Sequence, residues 1–88
     1  MNTNTQMTDV EIRQRLQQAF RTGLPRELPT QREGIIIGGG HGHPCTACGV
    51  TIGPEATSIE YRYTDRVVWF HGRCDVIWLD ERNRLAPR

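Results

Sequence analysis

Three cysteines and one histidine fall into two close pairs, Cys45-x2-Cys48 and His71-x2-Cys74, with 22 residues between them. Thiolate sulfur and imidazole nitrogen are donors that Zn2+ favours, and two short pairs joined by a longer stretch supply the four ligands of structural zinc modules. The set uses every cysteine in the chain. An odd cysteine count fits a disulfide framework poorly, and two such spacings would be a coincidence among thiols that were merely buried. The reading is therefore one structural Zn2+ per chain, held by Cys45, Cys48, His71 and Cys74. Pro44-Cys45-Thr46-Ala47-Cys48-Gly49 has the small residues and trailing glycine of a tight knuckle, where backbone amides can point at the sulfurs. His71 and Cys74, three residues apart at the start of a helical segment, share one face and can reach one metal.

No other constellation competes for chemistry. The single serine, Ser58, lies in an expected strand without a histidine or acid placed to activate it. Glu55, Glu60 and Asp65 read as scattered, solvated carboxylates. The run Gly38-Gly39-Gly40-His41-Gly42-His43 precedes no helix and carries no lysine, so it is not a phosphate loop. A flexible, solvated loop is expected there, and His41 and His43 are not counted as ligands. Four protein ligands leave zinc no open position for water or substrate, so the chain is expected not to be an enzyme.

At 88 residues the chain is expected to form one small unit whose core is marginal without a staple, which gives a metal physical work to do. The longest apolar runs, Ile35–Ile37 and Val67–Phe70, are too short to cross a bilayer, and no secretory pattern stands at the start. Free thiols without such a signal point to a reducing cytoplasm. The net charge is +1, and all 11 basic residues are arginine. A near-neutral balance argues against a protein steered mainly by nucleic acid.

The elements that must position the four ligands follow from periodicity. Residues 1–7 are polar and expected to fray. Thr8-Asp9-Val10-Glu11 reads as a capping box, and Ile12, Leu16, Ala19 and Phe20 form the apolar stripe of an amphipathic helix that Gly23 and Pro25 terminate. Residues 23–43 form a Gly/Pro-rich connection, in which Ile35-Ile36-Ile37 could make a short strand. Residues 44–86 are expected to hold the zinc module. There Ser58–Tyr63 alternates with Ile59, Tyr61 and Tyr63 on one face, Thr64-Asp65-Arg66 turns, and Val67–Phe70 returns as the second strand of a hairpin. Of that second strand only one pair, Val68 and Phe70 or Val67 and Trp69, can face the core. The other is then covered by the N-terminal helix through Leu16 and Phe20, or left exposed. A helix from His71 to about Arg84 follows, with Cys74, Ile77, Trp78 and Leu85 on its inner face and Asp80–Arg84 as its solvated end. The fold class is a small α+β zinc-stabilised domain: a treble clef (zinc knuckle, β-hairpin, C-terminal helix) preceded by an N-terminal amphipathic helix.

Over residues 44–80, Cys45-x2-Cys48…His71-x2-Cys74 resembles the first half-site of LIM domains. Trp69-Phe70-His71-x2-Cys74, with Trp78 four residues on, resembles the zinc finger of poly(ADP-ribose) polymerases. Both resemblances imply metal ligation by these four residues and a treble-clef topology. A LIM domain continues into a second zinc site, for which this chain has no cysteines left, and the polymerase finger has a longer spacing and a more basic surface. The layout of an N-terminal helix and a glycine-rich lead into one finger is also similar to small bacterial proteins.

The functional expectation is a non-enzymatic zinc-binding module acting as a protein-interaction adaptor, with a protein partner and no membrane. The alternative is a nucleic-acid-binding regulator using Arg62, Arg66, Arg73, Arg82 and Arg84 against phosphates. Glu60, Asp65, Asp75, Asp80 and Glu81 interleave with those arginines and cancel much of the attraction.

Overall fold

The computed structural model describes residues 7–31 and 33–85, the side chain of Leu85 excepted; the expected fraying of residues 1–6 and the last residue of the 44–86 module lie outside them. Two helices and a three-stranded antiparallel sheet make a small α+β fold in the order α1 (Asp9–Arg21), β1 (Ile35–Gly39), β2 (Thr57–Arg62), β3 (Val67–His71), α2 (Gly72–Leu85). The strands lie side by side in chain order. No described helix is long and apolar enough to cross a membrane.

The first helix starts and stops on its own side chains. Thr8 Oγ1 accepts from the Glu11 amide at 3.2 Å while Glu11 Oε1 accepts from the Thr8 amide at 2.9 Å, so two orphan donors are satisfied reciprocally. At the other end Leu24 N–H reaches Ala19 C=O at 2.8 Å and Gly23 N–H reaches Phe20 C=O at 3.4 Å, with Gly23 at φ 120. These two bonds form a Schellman closure, which needs the positive φ that glycine accepts.

The sheet extends the expected hairpin by one strand. Ile35, Ile36 and Ile37 pair with Tyr61, Glu60 and Ile59, and the ladder continues through Gly38 and Gly39. The glycine run is therefore not the flexible loop expected from its composition: its first two residues are strand. Gly40 is buried where the chain touches itself, and a Cβ there would stand 2.2 Å from Gly53 O and 2.4 Å from Ile52 O. A backbone approach this close admits only glycine.

Register places Ile59 opposite Phe70 and Tyr61 opposite Val68, and all four are buried. Trp78 of α2 covers them, its ring centroid 4.8 Å from that of Tyr61 and 5.2 Å from that of Phe70. Its indole nitrogen is buried with no hydrogen-bond partner among the described residues. On this face Val68 and Phe70 point inward. Trp69, on the other face, is covered by His43 and not by α1: the imidazole stacks on the indole with centroids 3.9 Å apart and planes 6° from parallel. The residue expected to be mobile is instead a lid on a tryptophan.

The N-terminal helix packs along α2. Ile12, Leu16 and Phe20 are buried in the common core with Ile77 and Trp78. Glu81 corrects the expectation of a solvated helix end: its side chain is 1% exposed. Three residues on from Trp78, it falls on the helix's buried face, where it accepts from Arg13 at 2.7 Å and from Gln17 at 3.2 Å. Burying a carboxylate this completely is tolerated because α1 brings a cation and an amide to it.

Candidate metal centre

Two local devices place the four sulfur and nitrogen donors in pairs. The Cys45–Cys48 turn closes with Gly49 N–H on Cys45 C=O at 2.8 Å and Cys45 N–H on Val50 C=O at 2.9 Å, and Gly49 takes φ 81 as its trailing position requires. Thr46 N–H docks the turn on the β3 carbonyl of Trp69 at 2.8 Å, and Arg15 Nε ties it to α1 through Ala47 C=O at 2.8 Å. His71 is the last residue of β3, and Cys74 lies in the first turn of α2. The strand-to-helix junction thus delivers the second pair as the periodicity anticipated.

The donor atoms of Cys45, Cys48, His71 and Cys74 all lie within 4.8 Å of one another. The imidazole presents Nδ1, 3.5 Å from Cys48 Sγ. In a tetrahedral site with Zn–S bonds of about 2.3 Å, neighbouring donors stand about 3.8 Å apart, so the set fits one ion with a small contraction. Cys45 and Cys74 are buried and Cys48 is half-buried. A cleft of about 220 Å3 lined by Met7, Ile12, Val50, Arg73 and three of the four donors opens beside the cluster.

The thiols do not ionise equally. A hydrogen bond from the Cys74 thiol and the amides of Cys48, His71 and Ala47, which outweigh burial, hold the Cys45 thiol down to about 4. Cys74 is pushed up by that same bond to Cys45, then by burial, and Cys48 is pushed up chiefly by burial. Three thiols this close form one thiolate readily and resist forming more; a divalent cation is what allows all three to bind as thiolates. The donors do not name the metal, but three soft sulfurs and one imidazole are a zinc-type set.

His41 and His43 are not brought into this cluster. His43 is occupied by Trp69, a role with no sequence signal beyond an aromatic residue two positions before the second ligand pair. Neither Arg13 nor Arg15 was singled out in sequence, and both clasp α1 to the module. The arginines considered for phosphate binding are engaged within the chain. Arg62 meets Glu60 at 2.5 Å, Arg73 meets Asp9 at 2.7 Å, and Arg66 bonds Gly23 C=O at 2.9 Å. Arg82 bonds the Arg26 carbonyl, and Arg84 lies 3.9 Å from Glu81. Glu60 is likewise no free carboxylate, since it also accepts from Trp69 Nε1 at 3.1 Å.

Compared with family models, with curated proteins and with solved structures, the chain matches none. The LIM resemblance therefore rests on the Cys3His residues, and the poly(ADP-ribose) polymerase one on those residues with Trp69, Phe70 and Trp78.

Proposed function

We propose that this chain is a non-enzymatic zinc-binding module of a reducing, cytoplasmic compartment, with one structural Zn2+ on Cys45, Cys48, His71 and Cys74, working as a protein-interaction adaptor. The Cys3His cluster carries the reading. Four protein donors complete a tetrahedral shell and leave no position for substrate, so the ion's contribution is to the fold. The knuckle, the β2–β3 hairpin and α2 are read in the same proposal as a treble clef, with β1 and α1 as additions that enlarge its core.

A protein partner is preferred to nucleic acid because each arginine of the zinc module that could meet phosphate has an acid or carbonyl partner in the chain. Contacting phosphate would require breaking those bonds, and the acids would remain beside the backbone they repel. The test is a mobility shift of short single- and double-stranded DNA with metal-loaded protein across a salt series. No salt-sensitive shift is expected. A shift at low salt that disappears when Arg62 and Arg66 are both reversed to glutamate would replace the adaptor reading with the nucleic-acid one.

A further inference from the structure

β1 is one edge of the sheet and is open among the described residues, and two hydrogen bonds fix which of its backbone groups β2 leaves unused. Arg62 N–H bonds Gly34 C=O at 2.7 Å, and Gly40 N–H bonds Ala56 C=O at 3.0 Å. In an antiparallel ladder the bonding residues alternate, so the Gly34 C=O, both backbone groups of Ile36 and Gly38, and the Gly40 N–H turn toward β2, while the Gly34 N–H closes a turn on Gln31 C=O at 3.0 Å. Ile35, Ile37 and Gly39 turn theirs outward. This edge lacks the devices that usually guard one: its five residues include no charge and no proline.

Its side chains are also uncovered. Ile35 and Ile37 stand opposite Tyr61 and Ile59, on the face that forms the core. However, α2 lies over β2 and β3 and does not extend over β1. Ile37 is 71% exposed and Ile35 42%. The apolar face thus runs on past the helix to a bare edge.

We propose that β1 is the seam of a homodimer, two copies pairing β1 with β1 antiparallel about a two-fold axis through Ile37. The outward residues are symmetric about that position. Ile37 meets Ile37, and Ile35 meets Gly39 of the second copy, each pair exchanging both backbone hydrogen bonds. Such self-complementarity is what a two-fold contact requires. Side chains opposite one another share a face, so Ile35 and Ile37 of both copies form one apolar strip, and each Ile35 overhangs a glycine. Past the ends of the seam, Glu33 precedes β1 in one copy where His41 follows it in the other, so an acid and an imidazole flank each end. A strand pair of this length lies at the small end of interface sizes, so the dimer is concentration-dependent rather than obligate. None of the four metal donors lies in this seam, which stands whether or not the metal assignment does.

The test is sedimentation equilibrium of the full chain from micromolar to millimolar concentration, with amide exchange by NMR and metal content measured on the same samples. Wild type should associate to a dimer. Its Ile35, Ile37 and Gly39 amides should exchange slowly at high concentration and fast on dilution, while those of Ile36, Gly38 and Gly40 stay protected throughout. I37K sets two ammonium groups together on the axis and should weaken the dimer about tenfold or more. I37P removes an N–H that β2 does not use, a position where an edge strand accepts proline, and should do the same with metal content unchanged. A chain monomeric at millimolar concentration, its outward amides exchanging freely, overturns the proposal and leaves the edge for an extended segment of a different protein. A dimer that survives both substitutions places the contact elsewhere and overturns it equally. The exchange pattern of wild type alone decides the matter should either variant fail to fold.

Discussion

Arg13 on the first helix holds Glu81 on the last, Nη1 to Oε2 at 2.7 Å, and the same nitrogen reaches Asp80 Oδ2 at 2.6 Å. Glu81 has almost no contact with water, so the value of the pair lies mainly in what happens when it is broken. Removing one partner of a buried pair leaves an uncompensated charge, whereas replacing both with apolar groups is often neutral. Arg13→Met should therefore lower the melting temperature clearly, and Arg13→Met with Glu81→Met should recover most of the loss. Thermal melts of the two single variants and the double variant check this. A double variant as unstable as the sum of the singles would contradict it.

Metal removal should unfold more than the zinc module. Structural zinc is worth on the order of 10–16 kcal/mol in small finger peptides, most of it appearing as folding free energy. The N-terminal helix should go with it, because Ile12 and Leu16 are buried in the core that contains Trp78, and Arg15 bonds the Cys45–Cys48 turn. We expect one zinc per chain by elemental analysis, and a chelator should abolish the circular dichroism of both helices in one transition. Purified protein without metal that still melts cooperatively would refute the site.

The three histidines should separate cleanly. His71→Ala should lose metal affinity, and His41→Ala should change little. His43→Ala should keep its metal and lose about 0.5–1.5 kcal/mol of stability, the worth of an aromatic pair, together with a change in Trp69 fluorescence. Metal titration and denaturant melts of the three variants distinguish these outcomes, and equal metal losses at all three positions would mean a misassigned fourth ligand.

Both tyrosines should titrate late. Burial is the main cause at each: Tyr63 is pushed up to about 12, and Tyr61 is raised further, its hydroxyl donating to Asp75. A phenol harder to ionise in the fold than in the unfolded chain contributes stability that is intact below the ordinary tyrosine range. That contribution declines as pH rises through the folded value. Phenolate absorbance should therefore stay near zero through pH 10 and then appear together with unfolding. Half of it appearing at pH 10 in folded protein would contradict the packing of these rings.

The ligand pairs, the capped first helix and the hairpin were legible because each is written locally: a two-residue spacing, a threonine with a glutamate three on, an alternation of period two. β1 was only half legible, since Ile35–Ile37 carries strand propensity but Gly38 and Gly39 do not, and pairing with Ser58 and Thr57 decides their conformation. Glu81 misled because charge is a good guide to exposure until another segment supplies a partner. That partner sits 68 residues earlier. The stack of His43 on Trp69 has the same origin: two side chains made neighbours by the docking of the knuckle on β3, which no local pattern encodes.

The separation of Arg13 from Glu81 also sets a schedule for the chain as it is made. Ribosomes add roughly 5–20 residues per second, so the first helix emerges about 3–14 s before the helix that covers it. Through that interval Ile12, Leu16 and Phe20 have no α2 to pack on, and the two halves of the metal cluster are not both available. The helix made first is finished last, and the cell must keep its apolar stripe from other partners until then.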